Sequence, residues 1–209
     1  MPRPHTLKIK EIFASFQGEG LRMGCPTLFV RLSGCNLRCS FCDTRSAWED
    51  GEELPVPNIL TAVEELRKDA PTEWICLTGG EPLTQNIRPL VESLKKKGYS
   101  IQIETNGTLP SVSSVDWITL SPKPPDYVIH PGCLIPLREA KLVVTRELTE
   151  EIIHDVRTRI PAGVPLFLQP QSMEKWSLRK AEQLLRSCLN AHPADIRLGL
   201  QLHLLYDIR

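Results

Sequence analysis

The chain has no apolar run near the roughly 18 residues that a membrane-spanning helix requires. Its N-terminus, Met1-Pro2-Arg3-Pro4-His5-Thr6-Leu7-Lys8, lacks the apolar core of a secretory signal. Net charge is also missing: 25 basic and 25 acidic residues cancel. Nucleic-acid binders usually show a basic excess, so neither a membrane nor a nucleic acid is expected as a partner. There is no internal repeat, low-complexity tract or long linker. The seven cysteines are an odd number in a chain of ordinary composition, which argues against a secreted disulfide framework. A soluble, cytoplasmic protein is the expectation.

What is present fits one domain over residues 1–209, with 41% hydrophobic residues to fill a core. Short β-rich runs alternate with amphipathic stretches. Strands are expected at Glu11–Phe16, Thr27–Leu32, Trp74–Leu77, Ser100–Glu104, Trp117–Leu120, Lys141–Val144, Leu166–Leu168 and Arg197–Leu200. Several read as continuous apolar runs, which suits strands buried on both faces. Helices are expected at Ile59–Lys68 with Asn58 as N-cap, at Ile87–Lys97 ending on Gly98, at Thr149–Arg159 and at Leu178–Leu189. The alternation predicts parallel strands with helical crossovers. A full (β/α) barrel takes about 250 residues. This chain is shorter, so an incomplete barrel or open α/β sheet is expected, with Lys123–Pro136 as a loop over one end.

Cys35-Asn36-Leu37-Arg38-Cys39-Ser40-Phe41-Cys42 is a C-x3-C-x2-C motif just after the second strand. Thiolates suit zinc and iron–sulfur clusters alike. A structural zinc site normally has four protein ligands, and no second C-x2-C or H-x3-H pair is present. Three thiolates on a cubane cluster would leave one iron open to a ligand. Buried core cysteines, or zinc completed by Cys25 or a distant His, are the blander alternatives. Cys25, Cys76, Cys133 and Cys188 are scattered and read as ordinary thiols.

Later strand ends carry Thr78-Gly79-Gly80-Glu81-Pro82, Glu104-Thr105-Asn106-Gly107, Ser121-Pro122-Lys123 and Gln169-Pro170-Gln171. The glycines would allow close approach of a ligand to the backbone, and the Glu81 carboxylate could take an ammonium group. Each segment alone is compatible with an ordinary turn. An amide such as Gln169 could hydrogen-bond a ribose or an adenine.

Together, the cysteine motif and the segments at residues 78–82 and 104–107 resemble the radical S-adenosylmethionine (SAM) superfamily. Within it, Phe16-Gln17-Gly18-Glu19-Gly20, Arg31, Phe41-Cys42-Asp43-Thr44 and the Gln201-Leu202-His203 tail resemble the 7-carboxy-7-deazaguanine synthase family. That resemblance implies a truncated (β/α) barrel with a 4Fe–4S cluster on Cys35, Cys39 and Cys42. It implies SAM as cofactor, held by Phe41, Asp43, Gly80, Glu81, Ser121, Lys123 and Gln169. Mg²⁺ would be held by Thr44, for which a helix-start cap is the plain alternative. The substrate would be 6-carboxy-5,6,7,8-tetrahydropterin, held by Phe16, Gln17, Gly18, Arg31, Thr78 and the Arg209 carboxylate. Arg31 also suits a substrate carboxylate on chemical grounds. Hydrogen abstraction at C6, ring contraction and loss of ammonia would give 7-carboxy-7-deazaguanine for a queuosine or archaeosine route. An electron donor such as flavodoxin or ferredoxin and a homodimer are implied as well. Competing readings are an activating enzyme for a glycyl-radical partner, which does not need the Gln17–Gly20 element, and a non-enzymatic zinc module.

Overall fold

A computed structural model describes residues 4–189, 195–206 and 208. Nine strands form one sheet: β1 (Thr6–Phe16), β2 (Pro26–Leu32), β3 (Glu52–Pro55), β4 (Trp74–Gly79), β5 (Ser100–Thr105), β6 (Trp117–Leu120), β7 (Leu137–Val144), β8 (Leu166–Pro170) and β9 (Ile196–Leu198). Their order is β3-β1-β2-β4-β5-β6-β7-β8-β9. β1 pairs antiparallel with β2 and β3, while β2 and β4 to β9 run parallel, each beside its predecessor. This is a partial (β/α) barrel. Helices α1 (Val56–Asp69), α2 (Arg88–Lys96), α3 (Glu150–Arg159) and α4 (Lys175–Cys188) cover it, and a short α5 (Leu202–Tyr206) follows β9.

The helices divide the outer face of the sheet between them. α1 and α2 bury Leu28, Val30, Ile75, Leu77, Ile101 and Ile103. α3 and α4 bury Ile118, Leu120, Leu142, Val144, Leu166 and Leu168. Alternate residues point the other way, because side chains along a strand alternate between faces. Phe29, Arg31, Cys76, Thr78, Gln102, Glu104, Thr119, Glu139, Lys141 and Gln169 therefore face the barrel interior. The strands are thus not apolar on both faces as the runs suggested. Their outer faces are apolar, and their inner faces are largely polar.

Two helix starts differ from expectation or meet it for clear reasons. α1 begins at Val56 with a proline in its first turn, so Pro55 takes the cap position and Asn58 lies inside the helix. Proline is preorganised for a first turn, where its missing N–H costs nothing. α3 begins as expected, with Thr149 facing the Ile152 N–H. Gly98, at φ +86°, ends α2. The crossovers β5–β6 and β6–β7 contain no α-helix, so the repeat is incomplete there. β3 and α5 were not anticipated.

Candidate active site

A cavity of about 420 Å³ opens inside the barrel. Cys35, Cys39 and Cys42 stand along one wall, on the loop between β2 and β3. All three thiols are free and half-buried. Burial pushes the thiols of Cys35 and Cys39 above the ordinary cysteine range. Among the described residues, no three His, Cys, Asp or Glu side chains converge tightly enough to share one metal ion. Three thiolates would suit a cubane cluster with one iron left open to a further ligand.

The Gly79-Gly80 pair holds that loop in place. A Cβ on Gly79 would lie 2.0 Å from the Leu32 carbonyl oxygen, and one on Gly80 would lie 2.1 Å from that of Gly34. The Gly80 N–H donates to Leu32 O (3.1 Å) and the Glu81 N–H to Gly34 O (2.8 Å). The bare backbone is therefore used chiefly for contact between β4 and the root of the cysteine loop. Asn106 clasps the loop further out, donating to Asn36 Oδ1 at 2.9 Å.

Glu81 departs from the role expected of it. It is fully buried and does not line the cavity. Its carboxylate accepts from Leu83 N (3.1 Å), Thr105 Oγ1 (2.8 Å) and Asn106 N (2.6 Å). With those donors in place it braces the ends of β4 and β5. Arg209 lies outside the described residues. Every other residue named from the sequence as a ligand contact lies on the cavity wall: Phe16, Gln17, Gly18, Arg31, Phe41, Asp43, Thr44, Thr78, Gly80, Ser121, Lys123 and Gln169.

The loop after β1 turns back into the barrel and forms the cavity floor. Gln17 donates to Glu104 Oε1 (3.2 Å), and the Thr78 hydroxyl donates to Glu104 Oε2 (3.0 Å). Glu19 pairs with Lys141 and accepts from Gln201 Nε2 (2.9 Å). Burial alone raises the Glu104 carboxyl, but Lys141, Thr78 and Gln17 outweigh it and hold the group below the usual range. Lys141 is lowered by burial and raised more by Glu104 and Glu19, for a net upward shift. Lys123 moves the other way, lowered by burial and by nearby Lys141, and donates to Ser121 Oγ (2.5 Å). On the facing wall, Arg31 Nε donates to Glu11 Oε1 (2.8 Å). The tail after β9 closes the open side: Leu202 N–H donates to Gly18 O (2.9 Å), and a Cβ on Gly18 would lie 2.7 Å from His203 Nδ1.

Glu19, Glu104, Lys141, Gln201 and His203 were not singled out individually as ligand contacts from the sequence. A charged residue such as Lys141 inside an apolar strand was the available signal.

Three wall features test the fit of the implied cofactors. The thiols supply three soft donors on one side. Both amide atoms of Gln169, 3% exposed, have no partner, and neither does Gln201 Oε1. Buried amides without partners in a cavity are shaped for a polar ligand. Thr44 and Asp43 add oxygen donors beside the thiols, with Thr44 Oγ1 2.9 Å from Asp43 Oδ1. The Thr44 side chain makes no cap for the short turn that follows, which removes its plain structural role. The residues present fit all three groups.

Comparison with known proteins agrees. Residues 29–128 match the Radical SAM superfamily. Over 97% of this chain and 98% of its own length, the 7-carboxy-7-deazaguanine synthase of Bacteroides thetaiotaomicron is 37% identical. This chain belongs to the 7-carboxy-7-deazaguanine synthase family. The synthase of Aquifex aeolicus is 35% identical over 97% of this chain and 94% of its own. The crystal structure of QueE from Escherichia coli superposes with a TM-score of 0.78 at 28% identity, covering 95% of both chains. As a member of the 7-carboxy-7-deazaguanine synthase family, the chain is a radical SAM enzyme. That class works with a 4Fe–4S cluster and SAM.

The orphan amide of Gln169 gives a first prediction. Gln169→Met removes unsatisfied buried polar atoms and keeps the volume, so the ligand-free protein should melt at the same temperature or higher. SAM should bind about tenfold more weakly, the loss of one to two hydrogen bonds. Calorimetry of both variants reads the two effects. A lower melting temperature with unchanged affinity would show that Gln169 serves only the fold.

Proposed function

We propose that the enzyme converts 6-carboxy-5,6,7,8-tetrahydropterin to 7-carboxy-7-deazaguanine with loss of ammonia, in a queuosine or archaeosine route. The observation that carries this reading is the shared cavity. Gln17, Gly18 and Arg31 lie in the same enclosed space as the three thiols. A generic radical generator needs the thiols but not that loop.

The cluster and SAM, when bound, supply a radical that abstracts hydrogen; the residues do the rest. Cys35, Cys39 and Cys42 would hold the cluster. Gly80, Ser121, Lys123, Gln169, Phe41 and Asp43 would hold SAM against it. Arg31 offers a planar fork for the pterin carboxylate, with Glu11 fixing its Nε. Gln17 and Thr78 share Glu104 as acceptor, which fixes both side chains on the cavity wall. Glu19 is held by Lys141 and Gln201 and presents acceptor oxygens to the ring's N–H groups. The apolar walls at Phe13 and Phe29, stacked at 5.0 Å between centroids, limit water around the reacting carbons.

Thr44 would hold Mg²⁺ together with substrate oxygens and water, the kind of sparse protein ligation that Mg²⁺ accepts. Thr44→Val should therefore lower activity by about tenfold and flatten its dependence on Mg²⁺. A Mg²⁺ titration of initial rates on both variants reads this, and an unchanged curve places the ion elsewhere. We further propose that a one-electron carrier such as flavodoxin or ferredoxin reduces the enzyme, and that it works as a cytoplasmic homodimer. Among the described residues no helix is long and apolar enough to cross a membrane.

The deciding experiment is anaerobic reconstitution followed by incubation with SAM, Mg²⁺, reductant and the carboxypterin. Formation of the deazapurine supports the reading. No deazapurine from fully loaded protein overturns it. Modification of a partner protein by the loaded enzyme would instead favour the glycyl-radical activator.

A further inference from the structure

Below the cavity floor lies a second set of buried polar groups that touches neither the thiols nor the cavity. Gln102, Thr119 and Glu139 are at most 1% exposed and Arg22 is 5% exposed. They form a chain of hydrogen bonds with one direction. Arg22 Nη1 donates to Gln102 Oε1 (2.5 Å), Gln102 Nε2 to Thr119 Oγ1 (2.9 Å), and Thr119 Oγ1 to Glu139 Oε1 (2.7 Å). Glu139 Oε2 then accepts the backbone N–H of Leu21 (2.6 Å), the residue beside Arg22. The chain closes into a ring that ties one loop to β5, β6 and β7 in succession.

The ring leaves little freedom at any member. An arginine only donates, so the Gln102 amide must turn its oxygen to it. Thr119 passes the donor on, and Glu139 must accept twice, which suits a carboxylate. Gly20 has φ +69°, and a Cβ there would lie 2.4 Å from both Glu139 oxygens. Arg22 also lies 3.7 Å from the ring centroid of Trp74, over its face.

Two residues further along β5 and β7, on the same inner face, stand Glu104 and Lys141. These hold Gln17 and Glu19 of the same loop. The loop is thus pinned at two levels by the same strands, one sealed and one facing the ligand. We propose that Glu139 is a positioning residue for substrate binding. By clasping Leu21 directly, and Arg22 through Thr119 and Gln102, it sets the height at which Gln17 and Glu19 meet the substrate. This rests on the cavity being the carboxypterin site.

Glu139→Gln tests it, because the new amide nitrogen must face one of two donors. Without any ligand, the peptide spanning residues 17–25 should exchange its amide hydrogens about tenfold faster, the cost of one lost hydrogen bond. Peptides in α1 and α2 should not change. In the loaded enzyme, KM for the carboxypterin should rise about tenfold, with kcat and the KM for SAM within about twofold. Thr119→Val breaks the same ring at β6 without altering charge, and it decides the matter if Glu139→Gln does not fold. Unchanged exchange, or faster exchange with an unchanged carboxypterin KM, overturns the proposal. A similar rise in both KM values also overturns it, since that reads general loosening. If the wild type makes no deazapurine, the substrate assignment fails, and the exchange measurement still shows whether the clasp exists.

Discussion

Cys39→Ala is expected to abolish product formation, with kcat/KM falling by at least ~10³-fold, or about 4 kcal/mol of transition-state stabilisation. Among the described residues Cys39 is one of three thiols on the cavity wall, and neighbouring backbone cannot replace a thiolate. The reconstituted variant should lose most of its iron and its visible absorbance, while its far-ultraviolet circular dichroism stays close to wild type. The loop is anchored at its root by the Leu32–Gly80 and Gly34–Glu81 hydrogen bonds, not by Cys39. Cys25→Ala is the control. Cys25 is exposed and away from the cavity, so iron content and activity should not change. Full iron content and turnover in Cys39→Ala would remove the thiol from the cluster. A loss in Cys25→Ala equal to that in Cys39→Ala would return a fourth cysteine ligand to consideration.

Lys141→Ala should cost about 3 kcal/mol of folding stability, lowering the melting temperature by about 6–12 °C. Lys141 is the only cation paired with Glu19 among the described ion pairs, and it also lies close to Glu104. Its removal strands two carboxylates on the cavity floor. The low end of the range for a broken buried pair is used because the cavity admits water. The pH dependence follows from the Glu104 shift. Its folded carboxyl sits below the ordinary glutamate value, so the stabilisation is present above about pH 4.3 and is lost as the pH falls through the folded value. Lys141 itself is shifted upward, so its own contribution is complete below about pH 10.4. The gap between wild type and variant should therefore be full at pH 7 and should shrink below pH 4. Adding Glu104→Gln to Lys141→Ala should restore part of the loss. A drop smaller than about 2 °C at pH 7, or a gap that widens in acid, would mean the floor carboxylates tolerate each other.

The fold was legible wherever a strand or helix carried a strong local signal. Trp117–Leu120 lies where the apolar run placed it, and Gly98 stops α2 as a glycine after three lysines should. β3 was missed because Glu52-Glu53-Leu54-Pro55 is polar, short and ends in proline, and it exists as the edge strand of the sheet by pairing with β1. The inner face was hidden for a different reason. Gln102 and Glu104, Thr119, and Glu139 and Lys141 recur at every second position in β5, β6 and β7. That is the alternation of a strand with one polar face, yet each run expected from the sequence holds only one or two of these positions, too few to show it.

The site was legible through short motifs, and these show residue type but not direction. Glu81 shows the limit: its motif places it beside the cofactor, and its side chain turns into the fold to serve Thr105 and Asn106. Gln17 shows the reverse. Its segment is the β1–β2 connection. Only the tertiary structure shows that connection folded back into the barrel.

The strand order has a consequence for biosynthesis. From β5 onward, each strand pairs with the one made just before it; β4 pairs with β2, and the β1–β2 hairpin precedes them all. A chain emerging from the ribosome can therefore extend its sheet one strand at a time, without waiting for a distant partner. The cysteine loop leaves the ribosome early, between β2 and β3. Gln169 and Gln201 leave late, and Leu202 reaches back to Gly18 only after β9 is in place. The thiols are thus displayed on a half-built, open scaffold well before the last wall shuts over them. That interval gives whatever inserts the metal cluster its widest access.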